Sequence, residues 1–122
     1  MVLICRLPLL LPGMTTAVIE AVHAPIGAAM APGHKLLDLR VDLSGSVAHD
    51  CPPVSYFRLV MRERAWLRRL TVAPGKEVAL NTALAWFTTT AEEAAEGEPE
   101  RAARIAWGGI LPPVSLAAGH QG

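Results

Sequence analysis

The stretch Leu37-Asp38-Leu39-Arg40-Val41-Asp42-Leu43 alternates apolar and charged residues without a fault. Successive side chains of a strand leave opposite faces, so the four apolar residues share one face and the three charged residues the other. This is a half-buried strand. Working outward, Phe57, Leu59 and Met61 alternate with Arg58, Val60 and Arg62, which predicts a second, looser strand. Val18-Ile19, Leu70 to Val72 and Leu84 to Phe87 are shorter candidates. Between them lie the turn signals Ile26-Gly27, Pro32-Gly33 and Pro74-Gly75. Pro at the second turn position with Gly at the third fits a type II turn, where positive φ is needed. Strands this short, punctuated this often, predict an all-β sandwich or barrel.

An internal repeat points the same way. Ala31-Pro32-Gly33 recurs as Ala73-Pro74-Gly75, each after strand-like sequence, which suggests two similar halves. The 122 residues suffice for one modest core, built from Leu, Val, Ile and Ala because only six residues are aromatic. Formal net charge is zero, so nothing global favours nucleic acid or an anionic membrane as partner. Cys5 and Cys51 make neither a metal spacing nor a disulfide framework, which favours a reduced, cytoplasmic protein. The opening Met1 to Met14 is apolar, but Arg6, Pro8 and Pro12 interrupt it and no basic stretch precedes it, against a signal peptide. Every long apolar stretch is broken by charge or Pro, so no membrane span is expected.

After Thr90 the character changes. Residues 91–104 are rich in Ala, Glu and Arg, and Gly97 and Pro99 interrupt them. Pro99 near its start predicts a short helix over about 100–107. The expected organisation is a β domain over 1–90 and an Ala/Glu/Pro-rich tail over 91–122. Trp107, Ile110 and Leu111 in that tail either fold back onto the domain or dock elsewhere.

Residues 7–43 carry a resemblance to a known family. Leu7-Pro8 through Pro12-Gly13-Met14-Thr15 matches M-P-x-L-S-P-x-M-x. Gly27, Met30, Gly33 and Leu36 match G-x-x-V-x-x-G-x-x-L, and Leu36 through Leu43 lies on L-x-E-I-E-T-D-K. Across 57–87, Trp66-Leu67 and Leu70 to Val72 fit the strand before E-G, and Gly75, Val78, Asn81 and Leu84 fit the glycine motif again. Asn81 stands for a glycine there, and Asn is the next best residue for left-handed backbone. In these motifs the chain resembles the lipoyl domains of 2-oxo-acid dehydrogenase acyltransferases, and the biotinyl carriers like them. The resemblance implies a flattened barrel, or barrel-sandwich hybrid, of two small antiparallel sheets with pseudo-twofold halves. A central hairpin joins the halves and presents the family's modified lysine at its tip.

This chain departs from the family at that lysine. Leu43 occupies the position, and the biotinyl A-M-K-M is absent. The tip is enlarged by Ser44 to Val54, which contains no lysine, and Lys35 and Lys76 map to turns elsewhere. Acylation needs an amine, which leucine lacks. No lipoate, biotin or other cofactor is therefore expected, and the chain reads as non-catalytic.

Two further groups stand out. In the insert, Ser44, His49, Asp50, Cys51, Pro52 and Pro53 form the candidate interaction loop. A nearby imidazolium favours a thiolate, so Cys51 could serve a thiol-redox or carrier role; otherwise Asp50 and the prolines shape a loop and Cys51 fills it. No further residues complete a metal site. Arg58, Arg62, Arg64, Arg68 and Arg69 concentrate five cations, with Glu63 the one acid among them. They read either as a basic patch for an acidic protein partner or as a solvated face opposing the acidic run Glu92 to Glu100. Lacking interleaved exposed aromatics, they do not point to nucleic acid. His23 and His34 each stand alone. The leading expectation is a protein-interaction module on a lipoyl-like scaffold, with an accessory role in a multienzyme complex as an alternative.

Overall fold

Leu37, Leu39 and Val41 are fully buried, while Arg40 and Asp42 on the other face of the same strand remain in contact with solvent. The alternation has folded as expected on its apolar face, while on the charged face Asp38 is buried as well. The computed structural model describes residues 1–43, 54–94 and 96–112. Among these, ten strands form: β1 (Val2–Arg6), β2 (Thr16–Val22), β3 (Ala29–Met30), β4 (Lys35–Asp42), β5 (Val54–Met61), β6 (Ala65–Leu70), β7 (Glu77–Ala79), β8 (Ala83–Thr88), β9 (Arg101–Ala102) and β10 (Ile105–Ile110). One sheet runs β3-β6-β8-β1-β9 and the other β10-β5-β4-β2-β7. Pairing is antiparallel throughout except between β1 and β9. Leu3, Ile19, Leu39, Leu59, Leu67 and Phe87 come from both sheets into one buried cluster.

The halves are related by a constant offset. Exchanging β1–β4 with β5–β8 turns the order β3-β6-β8-β1 into β7-β2-β4-β5, which is the other sheet's order read backwards. Hydrogen bonds obey the same exchange at 48 residues (75 less 27, 67 less 19, 76 less 28). The Gly27 N–H donates to the Leu67 carbonyl at 2.6 Å, and the Gly75 N–H to the Ile19 carbonyl at 2.7 Å. The Leu67 N–H donates to Ala28 and the Ile19 N–H to Lys76, at 3.0 and 2.9 Å. Under this offset Gly33 corresponds to Asn81, and both have left-handed backbone, with φ of 92° and 66°. The Ala-Pro-Gly repeat is thus not the structural repeat. Its two copies lie 42 residues apart (75 less 33) and fall in non-equivalent turns, one after β3 and one before β7. The glycine-spaced pattern is the repeat that is in phase with the fold.

Two expectations are corrected. Residues 100–107 are not helical: Arg101–Ala102 and Ile105–Ile110 are strands. Ile105, Trp107 and Ile110 have poor helix propensity, two consecutive glycines lie among them, and open sheet edges beside β1 and β5 offer hydrogen-bond partners along one side of an added strand. Nor does the domain end at 90. β9 adds to β1, β10 adds to β5, and Ala103 between them is buried in the core cluster. The β5–β6 turn clamps this addition. The Glu63 carboxylate accepts two hydrogen bonds from the Arg101 guanidinium, at 2.7 and 2.9 Å, and one from the Arg104 N–H at 2.7 Å. The Arg62 N–H donates to the Arg104 carbonyl at 2.9 Å.

Two variants check this architecture. Asn81→Val should lower unfolding free energy by about 1–2 kcal/mol, because a β-branched residue resists left-handed backbone, whereas Asn81→Gly should change it little. A chain ending at Thr90 should lose about 3 kcal/mol or more, through lost burial of Ala103 and Ile105 and the freed Glu63 carboxylate. Urea denaturation followed by tryptophan fluorescence measures both.

Candidate functional site

The β4–β5 hairpin is the place where the family likeness would put the chemistry. Asp42 pairs with Val54, so Val54, the last residue of the expected insert, is the first of β5. Leu43 follows β4 and is buried, with its side chain in the core cluster. Ser44, His49, Asp50, Cys51, Pro52 and Pro53 lie outside the described residues. Lys35 starts β4, and Lys76 sits in the turn before β7, where its ammonium donates to the Thr71 carbonyl at 3.2 Å. Cys5 lies inside β1, and burial pushes its thiol up to about 12, so it is inert as a nucleophile.

The five arginines do not make one basic face. Arg58 lies in the β4–β5 sheet and grips Asp38 through two hydrogen bonds, at 2.8 and 3.1 Å. Arg62 and Arg64 flank Glu63 in the next turn, exposed and without an ion-pair partner among the described residues. Arg68 and Arg69 lie on β6 in the other sheet. Arg68 Nε donates to Thr88 Oγ1 at 3.0 Å, and its Nη2 bonds the Ala91 carbonyl. The Arg69 guanidinium stacks on Trp86, 4.2 Å from the ring centre. Among the described residues, no carboxylate of the acidic run forms an ion pair with these cations either. Glu93 pairs with the amino terminus, which also donates to Thr89 Oγ1 at 3.2 Å.

A charged network that sequence reading missed joins β2, β4 and β5. His23 Nε2, just beyond β2, donates to Asp38 Oδ2 at 3.0 Å, and Arg58 takes the rest of the carboxylate. Register explains the meeting: Asp38 and Arg58 are directly opposite on paired strands, and the β2–β4 pairing brings the chain after Val22 alongside. The hairpin pattern held a signal, since pairing Leu39 with Phe57 puts Asp38 against Arg58. Burial raises the Asp38 carboxyl, but hydrogen bonds and charge from Arg58 and His23 outweigh it and hold the group below the usual carboxylate range. His34 is explained more simply, because its Nδ1 accepts the Ala31 N–H at 3.1 Å and fastens its own turn.

Two concave regions flank these features. One, of about 450 Å³, is lined by His23, Pro25, Met30, His34 and Lys35 among others. The larger, about 560 Å³, opens where β1 meets β9 and β10, and Ile4, Leu7, Pro8, Pro99, Ile105 and Trp107 make it mainly apolar. Among the described residues no three His, Cys, Asp or Glu side chains gather as a metal-ligand set, and no helix is long and apolar enough to cross a membrane. No protein-family model, curated protein or solved structure matches this chain.

The Asp38 network gives a pH dependence of definite sign. Its folded carboxyl titrates below the unfolded one, so its contribution is complete above the unfolded value and is lost as pH falls through the folded value. Asp38→Asn should therefore cost about 2 kcal/mol at neutral pH, and flatten the fall in stability on acidification below about pH 4. Chemical denaturation at a series of pH values measures both effects. Equal acid slopes for the variant and the parent would remove Asp38 from the account.

Proposed function

We propose that this chain is a non-catalytic protein-interaction module built on a lipoyl-type scaffold that lacks the swinging arm. The observation that carries the reading is the strand order of the two sheets, with its exchange of β1–β4 for β5–β8 at a 48-residue offset. It supports a flattened barrel in which the β4–β5 hairpin joins the halves, the place where the resemblance puts a modified lysine. Here the hairpin sequence from Leu43 to Val54 has no lysine, and Leu43 is a buried core residue. A ligase has no amine to acylate there. What remains is a rigid frame with an enlarged connection, and loops on a rigid frame are where binding concentrates. The two prolines in that connection reduce the ordering cost of binding. The partner is another protein, met in the cytoplasm, rather than nucleic acid or membrane.

The test has two arms. Intact mass after co-expression with lipoyl and biotin ligases should show no acyl group; an addition at Lys35 or Lys76 would sink the arm-less reading. Replacing residues 44–53 by Asn-Gly should leave the melting temperature within a few degrees, because loop length costs little closure entropy. Proteins captured by the parent chain should be lost with the shortened one. Retention of the same partners would move the binding surface off the hairpin.

A further inference from the structure

We infer that β10 is a self-recognition edge, through which two copies of this chain pair antiparallel to join their β10-β5-β4-β2-β7 sheets into one. The inference stands apart from the lipoyl-type reading and rests on this sheet edge alone. Among the described residues the two sheets have four edge strands, and three are blunted: β3 and β9 have two residues each, with Arg101 in β9, and β7 has three, including Glu77. Short and charged edges discourage pairing with other chains. β10 is different. It has six residues, Ile105-Ala106-Trp107-Gly108-Gly109-Ile110, with neither charge nor proline. Of the five pairings longer than three residues, only β10 with β5 runs without a register shift. The strand is therefore regular, and every second residue directs its N–H and C=O away from β5. Nothing among the described residues pairs with that side.

The glycines identify the occupant. Neither Gly108 nor Gly109 has positive φ. A Cβ on Gly108 would meet nothing within 4 Å, and one on Gly109 would touch only the Tyr56 carbonyl at an ordinary 3.9 Å. The chain's own fold thus requires neither, although glycine inside a strand costs stability. Glycine in such a place marks close approach of another backbone or side chain. A two-fold axis perpendicular to the sheet keeps the faces of both copies matched. With that axis at Gly108, Trp107 lies opposite the partner's Gly109, and Ala106 lies opposite the partner's Ile110. Every large side chain of the strand from Ala106 to Ile110 meets a small one, and Gly108 meets its own copy. Trp107, now 46% exposed, would cover the bare backbone of the partner's Gly109. Zero net charge leaves no long-range repulsion between copies.

Sedimentation velocity of the full chain over a series reaching about 1 mM tests this, since a short strand interface is expected to associate weakly. The parent should show a monomer–dimer equilibrium. Gly108→Lys places two like charges on the axis while its side chain has open space in the monomer, so it should weaken dimerisation at least tenfold and leave the dilute melting temperature unchanged. Gly108→Cys in a Cys51→Ala background should form a disulfide-linked dimer with oxidised glutathione, because directly opposed strand residues lie within bridging distance. A parent that stays monomeric at the highest concentration overturns the inference. So does a parent dimer that Gly108→Lys leaves intact, or a monomer that pairs β10 only with an extended peptide of another protein.

Discussion

Removing the inward side chains of β4 from water is the interaction on which both sheets depend. Leu37, Leu39 and Val41 are fully buried and face a cluster fed by Leu3, Leu67 and Phe87 from the other sheet. Fully burying such side chains contributes about 1.5–3 kcal/mol each, more than any exposed ion pair in the molecule can contribute. Period-two geometry then sets the register, because a slip of one residue would turn Asp38 and Arg40 into the core. Register in turn places Asp38 opposite Arg58 and within reach of His23. The charged network is thus a consequence of apolar burial on the opposite face.

Sheet edges are the second constraint. The exchange symmetry leaves β1 and β5 as corresponding outer strands, and each receives one strand from residues 101–110. Glu63 holds that segment at the point where it passes from one sheet to the other, hydrogen-bonded to Arg101 and Arg104 and shielded from solvent. Arg101 holds the Glu63 carboxyl below its usual range against the opposing effect of burial, and the Arg104 N–H and charge add to this. One edge is covered by a two-residue strand bearing a charge. The other becomes a longer, uncharged strand that transfers the open edge outward rather than closing it.

Recognition within the chain had uneven signals. β4, β5, β2 and β8 were legible because alternation or β-rich composition marks half-buried strands. β1 was not: Val2, Leu3, Ile4 and Cys5 are all buried, so no alternation exists and the run resembles other apolar segments. Left-handed backbone at Asn81 was legible from its place in the glycine spacing. The arginine cluster was misleading, since nearness along the chain does not survive the β5–β6 turn. Arg58 and Arg68 end in different sheets with different partners.

By itself the sequence determined the all-β class, the main strands, the left-handed turns and the missing amine at the hairpin. These depend on local periodicity, backbone sterics or the presence of a functional group, none of which needs a distant contact. Tertiary structure alone decided that residues 101–110 are strands, that Leu43 belongs to the core, and that His23, Asp38 and Arg58 meet. A short segment such as Ile105–Ile110 is too weak to choose its own conformation, and it takes the one in which an existing sheet edge supplies hydrogen-bond partners along one side.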